Sequence, residues 1–304
     1  MLAIRTSKMT KPIIWLFGIS VAAAAFGYAF ILPGLGQTAK NVDLNAYSAD
    51  VERGAYVLRM GGCVVCHTDI DNGGVFLAGG AGLETPFGTF YAPNITPDTE
   101  HGIGAMSLED FYVAMTAGVT PDGEHYFPSF PYTSYGHFKT EDIVDLKAYL
   151  DTVEPVARPS QPHELIWPFS NRQFVGVWKS LYHTPEPFVP NDAESASWNR
   201  GAYLVNGPGH CGECHTARNL IGGMSTNTLE GTGKSSFSSG APAIAGSRST
   251  IRDWSLNDLV FYLQLGLTPD GDVSGGKMID VIEHGTSHLT GEDLEAIATY
   301  LKSL

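Results

Sequence analysis

Cysteine and positive charge are both scarce in this 304-residue chain. It contains only four cysteines, and its 18 lysine and arginine residues are outnumbered by 32 aspartate and glutamate residues, which gives a formal net charge of −14. This balance argues against a nucleic-acid partner, because a phosphate-binding surface needs clustered lysine and arginine. A basic protein partner is compatible with it, since opposite charges steer two proteins together.

Charge is absent altogether from one stretch near the N-terminus. Residues 13–32 carry none, and the residues before them include Arg5, Lys8 and Lys11 but no acid. About 20 apolar helical residues span a bilayer, and positive residues stay on its inner side. We therefore expect residues 1–40 to be a membrane anchor, or an uncleaved signal, in the bacterial inner membrane, with the remainder in the periplasm. A long cleavable signal is the alternative, and it also exports the remainder.

The four cysteines occur in two matching sequence motifs. GGCVVCHTD (61–69) and GHCGECHTA (209–217) each contain Cys-x-x-Cys-His, the attachment signature of c-type haem. Each of the two thiols can bond one vinyl group of the porphyrin, and the following histidine then lies beneath the iron as its proximal ligand. The residues predicted to hold two covalently bound haem c groups are Cys63, Cys66, His67, Cys211, Cys214 and His215.

Three other uses of paired cysteines fit these motifs less well. A four-cysteine zinc site has its pairs about 15–20 residues apart and no need of a following histidine, whereas these pairs are 148 residues apart. A thioredoxin-like pair needs a βαβ setting, of which the sequence shows no sign. Disulfides suit an exported protein, but they leave the histidine after each pair unexplained.

The two motifs belong to longer internal repeats. RGAYVLRMGGC (53–63) matches RGAYLVNGPGHC (200–211), SLEDFYVAMTAGVTPDG (107–123) matches SLNDLVFYLQLGLTPDG (255–271), and EDIVDLKAYL (141–150) matches EDLEAIATYL (292–301). Apolar residues three and four apart predict that each repeat closes with an amphipathic helix. We expect Gly54 with Tyr56, and Gly201 with Tyr203, to let each opening helix cross its closing helix closely.

These repeats predict an all-α fold. We expect two tandem cytochrome c domains, residues 45–152 and 196–304, each with long loops that wrap the haem. Residues 153–195 would form an interdomain extension and linker between them.

The ligand that binds each haem iron opposite the histidine decides the function of that haem. A methionine thioether raises the reduction potential and suits electron transfer, whereas an absent ligand leaves the iron open to small molecules. In the second repeat, Met278 ends the glycine-rich stretch GDVSGGKM (271–278) and is the predicted ligand. Packing in the core is the alternative use of this methionine.

The corresponding residue of the first repeat is Phe130, which cannot bind iron. His137, His125 and Met115 are the candidate replacements, and an open or water-bound iron is a further possibility. His137 aligns with His288 of the second repeat, which favours a structural role for both. His125 follows an Asp-Gly turn, and Met115 lies on a helical stretch that favours the core. The sequence leaves the choice open.

Longer segments make the resemblance to a known family specific. They are TPFGTFYAPNITPDTEHGIGAMSLEDF (85–111), YFPSFPYTSY (126–135), WPFSNRQFVGVWKSLY (167–182) and GGKMIDVIEHGTSHLT (275–290). From about Val51 onwards the chain resembles the multihaem cytochrome c subunits of bacterial membrane-bound dehydrogenases that oxidise alcohol or gluconate. The resemblance implies electron transfer from a periplasmic or membrane-bound dehydrogenase to a cytochrome, a quinone or a terminal oxidase.

The chain departs from this family in three ways. Members with three haems have a third domain, whereas this chain has two motifs. First domains of the family often carry methionine at the position of Phe130 or near Phe138. The second repeat has GAPAIAGSRST (240–250) where a counterpart of APNITPD (92–98) would stand, so we expect that counterpart to be missing.

Two polar residues outside the motifs are candidate contacts of the haem or its loops. Arg172 is a candidate partner of a haem propionate, with simple solvent exposure as the alternative. Asn94 could hold the haem loop by hydrogen bonds, or could merely form a turn.

The sequence therefore favours a dihaem electron carrier over an enzyme. The alternative is a haem enzyme, a dihaem peroxidase or an oxidase of small sulfur compounds, with catalysis at an open first haem. Glu124 and His125 are the candidate acid–base groups for that alternative.

Overall fold

The structure is a computed structural model that describes residues 15–16, 18–22, 42–224, 226–234 and 240–304. This part of the chain is mainly helical. None of its helices is long and apolar enough to cross a membrane. Most of the predicted span, residues 13–32, lies outside the described residues, so the anchor stays a prediction.

The α-helices of the described residues follow the repeats. They are α1 (Val51–Met60), α2 (Cys63–His67), α3 (Leu108–Ala117), α4 (Tyr132–Tyr135), α5 (Thr140–Leu150), α6 (Arg172–Tyr182), α7 (Ala196–Asn206), α8 (Gly212–His215), α9 (Leu256–Leu265), α10 (Met278–His284) and α11 (Gly291–Ser303). Short 3-10 helices occur at Leu44–Ala46, Ile70–Asn72 and Thr286–His288. The α1–α5 half contains the first haem motif, and the α7–α11 half contains the second.

A small antiparallel sheet departs from the expected all-α class. Its strands are β1 (Gly82–Thr85), β2 (Gly88–Tyr91) and β3 (Glu164–Leu165), in the order β1-β2-β3. The third strand comes from residues 153–195, so this extension is tied to the first half by backbone pairing. Sequence patterns did not reveal the sheet because its strands are short and mostly half-exposed.

Equivalent helices of the two halves begin and end in the same way. Ser107 before α3 and Ser255 before α9 each form a capping box with the aspartate three residues later. Both helices end at a left-handed glycine, Gly118 with φ 62° and Gly266 with φ 73°. A glycine adopts this conformation without steric cost, so both helices stop at the same point.

The close helix crossing expected at the two glycines is present. Helix α1 packs on α5, and α7 packs on α11. A Cβ atom built at Gly54 would lie 2.0 Å from the carbonyl oxygen of Asp145, and one at Gly201 would lie 2.0 Å from that of Ala296. No side chain fits in either crossing, so glycine sets the distance between opening and closing helices.

The two tyrosines join the halves to each other, a use that the sequence did not predict. The hydroxyl of Tyr56 donates to Asp293 at 2.5 Å, and the hydroxyl of Tyr203 donates to Asp142. Each tyrosine therefore reaches the closing helix of the other half. Arg200 adds two hydrogen bonds to the Asp293 carboxylate, at 2.7 and 2.8 Å.

A single continuous hydrophobic cluster runs through both halves. It includes Leu58, Leu146 and Phe138 from the first half and Leu204 and Leu294 from the second. The repeats therefore share buried apolar surface, while the exact domain boundaries stay a prediction.

Replacing Gly54 with alanine should destabilise the fold by about 3 kcal/mol, because the new methyl group would overlap a main-chain oxygen in the helix crossing. Urea denaturation measures the change. The matched control is Gly291→Ala at the start of α11, where an added Cβ would have no neighbour within 4 Å. Equal midpoints for the two variants would contradict a close crossing at Gly54.

Candidate functional site

Two short helices present the cysteine pairs. All four cysteines are free thiols: Cys66 and Cys214 are exposed, and Cys63 and Cys211 are half-buried. The pairs therefore do not form disulfides. The described residues contain no group of three or more histidine, cysteine or acidic side chains arranged to hold a metal ion.

The histidine after each pair is oriented by a proline carbonyl. Nδ1 of His67 donates to the Pro93 oxygen at 2.7 Å, and Nδ1 of His215 donates to the Pro242 oxygen at 2.8 Å. A carbonyl only accepts hydrogen bonds, so each Nδ1 carries the proton and each Nε2 keeps its lone pair. Burial lowers the pKa of both histidines, although the carbonyl bond opposes the shift.

The loop that supplies this carbonyl is built alike in both halves. Thr68 accepts the Leu77 amide at 3.0 Å, and Thr216 accepts the Leu229 amide at 3.0 Å. The next contact also recurs, because the Ile95 amide donates to the Leu77 oxygen and the Ile244 amide to the Leu229 oxygen, both at 2.9 Å.

The expectation that the second repeat lacks a counterpart of APNITPD was therefore wrong for the start of that segment. Pro242 and Ile244 occupy the places of Pro93 and Ile95. Sequence reasoning missed both prolines as functional residues. The shared letters of APNI (92–95) and APAI (241–244) were the signal that could have found them.

Asn94 holds the first of these loops by hydrogen bonds, which is one of the two roles considered for it from the sequence. Its amide donates to the oxygens of Val156 and Arg158 at 2.7 and 3.1 Å, and its side-chain oxygen accepts from Thr96. Asn94 is buried, so these bonds satisfy a polar group that would otherwise be costly. They fix the Pro93 loop against the extension.

We call residues 118–130 and 266–278 the two ligand loops, because they lead to Phe130 and to Met278. Their backbone geometry is the same until shortly before those two residues. In the first half the Tyr126 amide donates to the Gly118 oxygen at 2.8 Å, and in the second the Ser274 amide donates to the Gly266 oxygen at 2.7 Å. Four residues later the second loop reaches Met278, half-buried at the start of α10. Its ligation of iron stays a prediction.

The equivalent segment of the first half is aromatic. Phe130 packs edge-on against Tyr126 and Tyr135, with ring centroids 5.5 and 5.7 Å apart. Two residues further on, the fully buried Tyr132 hydroxyl has no hydrogen-bond partner among the described residues. The methionine of the second half is thus replaced by a set of packed rings.

In the structure, His125 contacts helix α6 and not the haem motif. Its Nδ1 lies 3.0 Å from Nζ of Lys179 in α6, and its Nε2 would lie 2.6 Å from a Cβ built at Gly176. Burial, together with Lys179, lowers the pKa of His125 to about 4. Both ring nitrogens therefore face α6, which argues against His125 as the replacement ligand or as a catalytic base.

The other two candidates occupy different surroundings. Met115 is buried in the shared core at the place that Leu263 holds in the second half. Nδ1 of His137 donates to the Glu186 oxygen at 2.8 Å, so this histidine tethers the extension. A role of His137 in binding iron stays a prediction.

Arg172 binds the first ligand loop rather than standing free. It donates to the His125 oxygen at 2.7 Å and lies 3.5 Å from the Glu124 carboxylate. The predicted contact of Arg172 with a haem propionate stays a prediction.

The two haem motifs lie next to each other, which the sequence could not show. A Cβ built at Gly62 would lie 3.3 Å from the ring of His210. Glu213, between the cysteines of the second motif, accepts hydrogen bonds from Thr133 and Ser134 of α4 at 3.0 and 2.8 Å. Helix α10 in turn contacts α2, so each motif helix touches the ligand segment of the other half.

A haem c group fits this arrangement at each motif. The donor set at each motif offers one exposed and one half-buried thiol and a neutral imidazole whose Nε2 carries no proton, which is the chemistry that covalent haem attachment and axial ligation require. Fold and site therefore define a cytochrome of the c type.

Comparison with known proteins refines this class. The chain is 44% identical over 265 residues to a protein of Cereibacter sphaeroides named "Diheme cytochrome c-type", covering 84% of this chain and 86% of that protein. It is 38% identical over 297 residues to the "Alcohol dehydrogenase (quinone), cytochrome c subunit" of Gluconacetobacter polyoxogenes, and 39% identical over 274 residues to the "Gluconate 2-dehydrogenase cytochrome c subunit" of Pantoea cypripedii.

The chain therefore belongs to the dihaem c-type cytochromes. The two subunit alignments cover 94% and 86% of this chain but only 61% of each relative. No protein-family model matches the chain.

Replacing Lys179 with methionine should destabilise the protein by about 3 kcal/mol. Nζ of this buried lysine donates to the oxygens of Ala117 and Gly118, both at 2.7 Å, and its removal would leave buried acceptors unpaired. Urea denaturation measures the loss. The exposed Lys234→Met is the control, and an equal effect of both changes would refute the role of Lys179.

Acidification should destabilise the protein between pH 6.5 and about pH 4. The folded-state pKa of His125, about 4, lies below its ordinary value of 6.5, so the unfolded chain binds the proton first. Stability present above pH 6.5 is then lost as the pH falls towards 4. Thermal unfolding across this range should show a smaller loss for His125→Gln than for the wild type. Identical losses would count against the buried neutral state.

Proposed function

We propose that this protein is an electron carrier with one haem c covalently attached at each motif. Thioether bonds would form at Cys63 and Cys66 in the first half and at the matching pair in the second. The observation that carries the proposal is the proline carbonyl on Nδ1 of His67 and of His215, which leaves each Nε2 with the lone pair that an iron ligand needs. Haem c supplies an iron that accepts and releases one electron.

The protein's own contribution is to hold the ligands and limit access of water. Met278 would complete the second site, and a thioether ligand favours the reduced state and a higher potential. Phe130 cannot do the same in the first half. The two haems are therefore expected to differ in potential, which would give electron flow through the chain a direction.

Contacts between the halves support direct electron exchange between the haems. The reciprocal hydrogen bonds of Tyr56 and Tyr203 fix the halves in one arrangement. The same arrangement brings the two motifs together, because a Cβ built at Gly62 would lie 3.3 Å from the ring of His210. We infer that electrons pass from one haem to the other without leaving the protein.

The names of the relatives support a dehydrogenase as the electron donor. A cytochrome, a quinone or a terminal oxidase would accept the electrons. The uncharged residues 13–32 and the basic residues before them support an anchor in the bacterial inner membrane, with the haem-carrying part in the periplasm. A basic protein is the partner best matched to the acidic remainder of the chain.

A second candidate function follows from the aromatic segment after Phe130. An iron without a sixth ligand would be open to small molecules, as in a haem peroxidase or an oxidase of small sulfur compounds. The buried hydroxyl of Tyr132, which has no hydrogen-bond partner within the described part of the chain, belongs to the same segment.

Haem counting and spectroscopy test both functions. The wild type should carry two haems per chain, and Cys63→Ala with Cys66→Ala should carry one, as measured by the pyridine haemochrome method. A chain without attached haem would overturn the proposal. With His137 as the sixth ligand of the first iron, electron paramagnetic resonance of the oxidised protein should give two low-spin signals, and the reduced protein should bind no carbon monoxide. One high-spin haem that binds carbon monoxide would favour the enzyme.

A further inference from the structure

The two ligand loops are alike in backbone but differ in what covers them. Val119 pairs with His125 across the first hairpin, and Leu267 pairs with Val273 across the second. In the first half, Ala117 and His125 are 0% and 3% exposed because helix α6 lies on them. This helix comes from the extension between the halves.

The corresponding surface of the second half is apolar and exposed within the described part of the chain. Phe261, Leu265, Leu267 and Val273 are 58%, 55%, 43% and 70% exposed, and we call these four residues the apolar face. They are contiguous, because Phe261 and Leu265 lie one turn apart on α9 and the hairpin pair follows directly. Met278, the predicted iron ligand, lies five residues beyond Val273.

The first half shows how a partner helix holds such a surface. Lys179 of α6 donates to the last carbonyls of α3, at Ala117 and Gly118. Arg172, two turns earlier on the same side of α6, pairs with Glu124. Small and apolar residues between these two basic side chains pack on the loop, with Gly176 against the ring of His125.

The second half repeats the acceptors, and among the described residues no lysine or arginine donates to them; the exposed Lys277 of the same loop pairs with Asp280. Helix α9 ends at Leu265 as α3 ends at Ala117, and the helix dipole favours a cation at that end. Asp272 occupies the place of Glu124, and it is exposed together with Asp270. The apolar face is thus rimmed by acidic groups and by a helix C-terminus.

We propose that the apolar face is the docking surface for a helix of a protein redox partner. That helix carries two cationic side chains about two turns apart, with small or apolar residues between them, as α6 does on the first half. A partner held there would lie beside the Met278 loop, so it would exchange electrons with the second haem. This inference rests on the proposed electron-carrier function.

The test is stopped-flow electron transfer from the reduced holoprotein to a lysine-rich c-type cytochrome, used as the probe. The wild-type rate constant should fall as ionic strength rises. Leu265→Ser with Val273→Ser should lower it about tenfold at low ionic strength, and Asp272→Asn several-fold. The controls are Val189→Ser, a still more exposed apolar residue outside the face, and Glu295→Gln, an exposed acid on α11.

Each outcome of this experiment either supports or overturns the proposed docking surface. Rates that the face variants leave unchanged, or that the controls lower equally, would overturn this docking surface while leaving the electron-carrier function intact. A wild-type protein that carries haem but reduces neither the probe nor ferricyanide would count against the carrier function itself. If sedimentation shows that the wild type dimerises and the face variants do not, a second copy of the chain is the occupant and the proposal fails.

Discussion

The hydrogen bond between a ring nitrogen and a proline carbonyl is the constraint on which this site depends. A histidine can give its lone pair to iron only at a nitrogen that carries no proton. At His67 and His215 the proton is committed to Nδ1 by the oxygens of Pro93 and Pro242. The loops from Thr68 and Thr216 onwards are built to deliver those two oxygens. Their agreement across two halves of different sequence reflects that single requirement.

The relation between the halves depends on a different device. Gly54 and Gly201 bring each opening helix against its own closing helix, while Tyr56 and Tyr203 reach the closing helix of the other half. The Asp293 carboxylate is buried, which by itself would raise its pKa, but the hydrogen bonds from Arg200 and Tyr56 lower it. The charged form that Arg200 needs is thus the favoured one. The outcome is a fixed contact between the two haem motifs.

Because the two halves repeat each other, the places where they differ are informative. The ligand loops coincide from Gly118 and Gly266 to the end of the hairpin, and then one leads to Phe130 and the other to Met278. The first loop is covered by α6 and held by Lys179, whereas the second is open to solvent. One half is therefore closed by the chain itself, and the other presents the same kind of surface outwards. This division fits an electron carrier that works internally at one end and meets a partner at the other.

The sequence by itself determined what short-range geometry controls. Two thiols and a histidine within five residues lie on about one helical turn. A helix crossing that has no space for a side chain needs glycine. The haem motifs, the repeats and the helices could therefore be predicted from the sequence. The bond from Tyr56 to Asp293 spans 237 residues, and the burial of His125 depends on Lys179, 54 residues away. Such contacts depend on which surfaces pack together after the helices have formed. Only the tertiary structure decided them, because side-chain partners at that range follow from the shared core and not from local spacing.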